Sequence, residues 1–80
     1  MSKKYKGMLT NVLRRHGFIP VEKEDTLIFF KHYVKLGTVI VKPNGRSAIL
    51  QIPDLGIKKE VNGVKKIDLL LKEIDSIEGL

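Results

Sequence analysis

Two side chains in this sequence, His16 and His32, carry acid–base chemistry that operates near neutral pH. A general acid or base also needs a partner and a cleft. His32 falls inside a strand-like run, where Glu22 or Asp25 could approach it across a hairpin. A half-buried strand histidine is the simpler reading. His16 falls at the end of a helical run and reads as a helix-terminal residue closing the edge of the core. Two widely spaced histidines with scattered acids make a poor zinc set. With no cysteine there is no thiolate to attack a substrate or bind a metal. No Gly-rich phosphate loop and no H-E-x-x-H pattern is present. The chemistry therefore points away from an enzyme, and no metal or cofactor is expected.

Charge carries the stronger signal. The 80 residues hold 15 Lys and Arg against 9 Asp and Glu, a formal net charge of +6. Residues 1–16 contain Lys3, Lys4, Lys6, Arg14 and Arg15 and no acid. Residues 31–59 add Lys31, Lys35, Lys42, Arg46, Lys58 and Lys59 against Asp54 alone. Phosphate contacts need such cations on a connected surface. The expected nucleic-acid-binding set is Lys3, Lys4, Lys6, Arg14, Arg15, Lys31, Lys35, Lys42 and Arg46. Phe29 and Tyr33 flank Lys31 on one strand face; if exposed they would stack on bases, and if buried they are core.

The elements that must position these residues follow from spacing. Tyr5, Met8, Leu9, Val12 and Leu13 form one helical stripe, with the basic residues on the polar face. Ser2 is a candidate N-cap, and Gly17 a candidate stop behind Arg14, Arg15 and His16. Strands are predicted at 18–22, with Pro20 favouring a sheet edge, and at 26–34, 38–42 and 47–52. Pro43-Asn44-Gly45-Arg46 predicts a hairpin with a type I′ turn. The alternation in 26–34 does not say which face is buried.

Residues 54–56 read as loop. Val64, Ile67, Leu70, Leu71, Ile74 and Ile77 predict a final helix, with Asn62 as its candidate N-cap; a second hairpin at Asn62-Gly63 competes. Lys65 and Lys66 near its start, and Asp75 and Glu78 near its end, oppose the helix dipole.

The run LTNVLRRHGF at 9–18, followed by strands, resembles the opening of HicA toxins, small RNA-cleaving proteins of α-β-β-β-α layout. Those proteins place a catalytic His after Gly-Ser ahead of the second strand. This sequence has Glu24-Asp25-Thr26-Leu27 there, so the resemblance implies a topology and not the activity.

Together these readings predict one compact α+β domain over residues 1–80. It has two layers: a helix, an antiparallel meander of three or four strands, then a helix, with both helices on one face of the sheet. The expected function is non-catalytic binding of DNA or RNA through a Lys/Arg face. The alternative is a protein-interaction adaptor, inhibitor or small assembly protein acting through a sheet edge or the last helix. Leu69 and Leu80 could then form a homodimer seam. A basic amphipathic first helix also suits an anionic membrane surface, but it lacks Trp and its apolar stripe is needed by the core. No run approaches a membrane span and no apolar segment follows Lys3-Lys4, so a soluble cytoplasmic protein is expected. Few Asn and Gln, no Cys and many Lys and Ile fit a thermophile, as they also fit an AT-rich genome.

Overall fold

A computed structural model describes residues 3–79, without the Lys3 side chain. Ser2 and Leu80 lie outside the described residues. The chain runs α1 (Lys3–Arg15), β1 (Ile19–Lys23), β2 (Thr26–Tyr33), β3 (Gly37–Asn44), β4 (Ser47–Ile52), a 3-10 turn (Pro53–Leu55), β5 (Ile57–Asn62) and α2 (Val64–Glu78). The strands form one antiparallel meander in the order β1-β2-β3-β4-β5. The sheet thus has five strands rather than three or four. The added strand is β5, whose residues are all exposed except Val61.

Helix α1 buries Leu9, Val12 and Leu13. Its end is closed by paired bonds, Phe18 N–H to Leu13 O at 2.9 Å and Gly17 N–H to Arg14 O at 3.0 Å. These satisfy carbonyls that the helix leaves open, and they turn Phe18 into the core beside Leu13. Helix α2 buries Ile67, Leu71 and Ile74. Both helical stripes meet Phe29, Tyr33, Val39, Val41, Leu50, Ile52 and Val61 from one face of the sheet in a single apolar cluster. This settles the ambiguity of β2: Leu27, Phe29, Lys31 and Tyr33 face the helices, while Thr26, Ile28, Phe30 and His32 face away. Phe29 and Tyr33 are core residues, so they are not a stacking platform.

Two turns differ from expectation. Asn44 pairs with Ser47, so the β3–β4 loop is Gly45-Arg46, shifted one residue from an Asn-Gly turn. Only Gly45 there has positive φ, at 64°, the position at which type II′ turns place Gly. Ser47 Oγ–H donates to Asn44 O at 2.9 Å, and Asn44 Nδ2–H to Glu60 Oε2 at 3.1 Å, which holds this register across to β5. Second, Asn62 ends β5 and neither caps α2 nor opens a hairpin. The residue before α2 is Gly63, and no side chain caps the helix.

Gly37 starts β3 with φ 80°, and a Cβ there would collide with the Asp54 carboxylate of the 3-10 turn. Gly37→Ala combines left-handed strain with displacement of the exposed Asp54 carboxylate and is expected to lower Tm by a few °C more than the strain alone. Gly45→Ala, whose Cβ would meet nothing, should lose only the strain, about 1 kcal/mol or roughly 4–8 °C. Equal losses in thermal melts would remove the Asp54 contact as the cause.

Candidate nucleic-acid interface

The two helices pack side by side on the sheet, and their arrangement sorts the charges. A cleft of about 520 Å³ opens between the N-terminal half of α1, the β3–β4 turn and the start of α2. Lys4, Arg46, Lys65 and Lys66 line it, over an apolar floor of Met8 and Val64. Met8 and Val64 also line an adjoining depression of about 560 Å³ that carries Arg14 and Arg15. The result is a continuous groove with six exposed cations and no Asp or Glu in its lining. Among the described residues none of these six forms an ion pair. Tyr5 also lines the cleft, with its hydroxyl pKa raised by burial.

Local structure explains the groove. Gly63 at φ 86° lets the chain leave β5 and enter α2 within one residue, a backbone state that L side chains rarely adopt. The first turn of α2 therefore sits beside α1 with its N–H groups uncapped by any side chain and with no acid of its own; on the side away from α1, Lys66 shares a depression with Glu60 and Glu73. Lys65 and Lys66 stand there against the helix dipole, at a cost of about 0.3–1 kcal/mol each when exposed.

The structure places the expected binding residues in different surroundings. Lys4, Arg14, Arg15 and Arg46 come together in the groove. Lys6 is half-buried by the β1–β2 hairpin, in a depression that also holds Lys42, Glu22 and Asp25. Lys42 projects from the sheet face away from the helices. Lys35 is at the opposite end of the molecule from the β3–β4 turn. Its N–H donates to Glu78 Oε1 at 2.7 Å and its Nζ to Ile77 O at 3.5 Å. Lys31 is engaged under the helices: Nζ donates to His16 O at 2.7 Å, lies 4.6 Å from the Tyr33 ring centroid and 3.9 Å from Asp75 Oδ1. Lys65 and Lys66 were absent from the expected set. Their dipole-opposed position is the one signal in the sequence that marks them.

The histidines are also resolved. His16 Nε2 lies 2.8 Å from Asp68 Oδ1, and Nδ1 lies 2.8 Å from Asp75 Oδ2. Each ring nitrogen of His16 thus faces a carboxylate oxygen of α2. Tyr33 O–H donates to the other Asp75 oxygen at 3.0 Å. His16, Asp68, Asp75, Tyr33 and Lys31 thus form one network that joins the end of α1 to β2 and α2. His32 is exposed, with Nδ1 3.3 Å from Thr38 Oγ1. Glu22 pairs with Leu27 in the β1–β2 hairpin and so lies away from His32. Among the described residues no group of three or more His, Asp or Glu is placed to hold a metal ion. No described helix is long and apolar enough to cross a membrane. No protein-family model, curated protein or solved structure matches this chain.

The network makes stability depend on pH at both extremes. The hydrogen bond from His16, with help from Lys72, holds the Asp68 carboxyl below its usual value of 3.8. Its contribution is present above that value and is lost as pH falls through the lower folded-state pKa. Burial, then the bond to Asp75 and the charges of Asp75 and Glu78, push the Tyr33 hydroxyl above its usual value of 10.0. That contribution is present below pH 10 and is lost as pH rises further. In melts from pH 2 to 11, Asp68→Asn is expected to flatten the acid limb alone and Tyr33→Phe the alkaline limb alone. A wild-type acid limb unchanged in Asp68→Asn would remove the His16–Asp68 pair as its source.

Proposed function

We propose that this chain is a non-catalytic nucleic-acid-binding protein that holds phosphates in the groove between α1 and α2. The observation that carries the reading is the groove's charge: six unpaired, exposed cations line it without an acid. Solvated lysines on an ordinary surface are interspersed with carboxylates. A sugar–phosphate strand suits both parts of the groove, because its phosphates meet the Lys and Arg heads while its sugars lie over Met8 and Val64. Arg14 and Arg15 can take phosphate oxygens in a bidentate manner, and the lysines act as point charges. Lys6, Lys31, Lys35 and Lys42 belong to this reading only as distant sources of field, and the Lys3 side chain lies outside what the structure describes. A cytoplasmic location accompanies it, since nucleic acid would be the ligand.

The adaptor reading has a narrower basis. Leu69 and Ile77 are 59% and 50% exposed on α2, but Glu73 lies between them on the same helical face. That interruption makes α2 a poor apolar seam.

The test is fluorescence anisotropy with labelled duplex DNA, single-stranded DNA and RNA across a salt series. Six phosphate contacts give a log–log salt slope of about −4 for single strands and about −5.4 for duplex DNA, a loss of roughly 300- to 2,000-fold in affinity between 50 and 200 mM salt. Arg14→Glu with Arg15→Glu is expected to weaken binding at least about 30-fold at fixed salt. Lys23→Glu with Lys58→Glu changes net charge equally, outside the groove and outside the His16 network, and should leave affinity within about threefold. Equal losses in the two double variants would reduce the effect to diffuse charge and end the proposal.

A further inference from the structure

The helices cover one face of the sheet, and among the described residues nothing covers the other. The pairing aligns Ile19, Phe30 and Ile40 in one row across β1, β2 and β3 of that outer face. Val21 and Ile28 pair in a second row, and Ile49 lies farther along on β4. Ile19 and Val21 are 55% and 41% exposed, and the other four shield one another only in part. An apolar field of this kind on a sheet is a site of association.

The charges around it choose among occupants. Lys23, His32, Lys42 and Lys58 stand on this face by register. Its one acid opposite Ile49 is Glu60, whose Oε2 accepts bonds from Asn44 and Ser47. Lys42 pairs with Ile49 beside the apolar field and forms no ion pair, although Glu22 and Asp25 line a depression next to it. A second copy docked through the same patch would bring these cations against themselves, because a two-fold interface pairs a patch with its own image. Single-stranded nucleic acid needs aromatic platforms, and here five of the six apolar residues are aliphatic.

We infer that the outer face of the sheet docks a second protein through a segment of apolar side chains bordered by Asp or Glu, with one carboxylate meeting Lys42. The site lies opposite the α1–α2 groove and goes beyond the nucleic-acid reading, so either can fail alone. Phe30 and Ile40 supply the central apolar contact, and Lys42 and Lys58 set the sign of the partner's charge.

The probe is a phage-displayed library of random 16-residue peptides panned against the full chain. Peptides rich in Leu, Ile or Phe together with Asp or Glu are expected. A selected acidic peptide should lose about tenfold or more in affinity to Lys42→Glu and should retain affinity for the Arg14→Glu, Arg15→Glu variant. Panning against Lys42→Glu with Lys58→Glu should turn selection toward Lys- and Arg-containing peptides. These surface variants leave the core intact, which circular dichroism checks. Ile40→Asp, which strikes the apolar field itself, should abolish binding. Three outcomes overturn the inference: selected peptides without acidic residues, sedimentation showing a dimer that Ile40→Asp dissociates, or oligonucleotide binding that Phe30→Ala removes.

Discussion

His16 is the side chain on which the charge arrangement of this molecule turns. It emerges where α1 ends and reaches two carboxylates on α2, Asp68 and Asp75, one from each ring nitrogen. Lys31 and Tyr33 bring β2 to the same Asp75. A chain of 80 residues has a small core, so a part-buried polar clamp between its two helices has unusual leverage on their relative position. The clamp also decides which charges remain free. Asp68 and Asp75 are occupied by His16, Lys31, Lys72 and Tyr33, and Glu78 accepts from the Lys35 backbone. The carboxylates of α2 are gathered toward its later turns, while Lys65 and Lys66 stay at its start beside an acid-free α1.

That segregation explains a sequence that opposes its own helix dipole. Lysines in the first turn and acids in the last each act against helix formation. The acids at the end of α2 are compensated by the His16 network and by contacts to Lys35. The lysines at its start have no such compensation. A bound anion at the groove would supply it, turning a local cost in the free protein into differential binding.

The helices, the three inner strands and the two-layer arrangement were legible because their apolar residues recur at 3.6- or two-residue spacing. Strand β5 was not, because five of its six residues are exposed and only Val61 reports a buried face. Its existence depends on pairing with β4, which no local pattern records. The buried face of β2 was equally hidden, since Phe29 and Phe30 give each face an aromatic ring. Lys31 shares a face with Phe29 and Tyr33, so a charge on that face left the choice open. Its place beneath the helices becomes acceptable only because the His16 carbonyl and Asp75 meet its ammonium there. Four of the nine expected binding residues could be gathered into one groove; Lys31 and Lys35 could not, because long-range carboxylates and carbonyls occupy them.

The same long-range choice leaves the sheet apolar on both faces. Two helices of 13 and 15 residues cover one side of the strands. A sheet apolar on both sides therefore has one side more than these two helices cover. A domain that needed only its fold could carry polar residues at Ile28, Phe30, Ile40 and Ile49, which point away from the core. Their cross-strand contacts stabilise the sheet, but they leave apolar surface open beside Lys42. The edges of this sheet are guarded: β1 carries Pro20 and Lys23, and β5 carries Lys58 and Lys59, which discourage pairing with other strands. The face between those edges has no such protection at its centre. The sheet thus discourages backbone pairing at its edges and leaves side chains of the open face exposed.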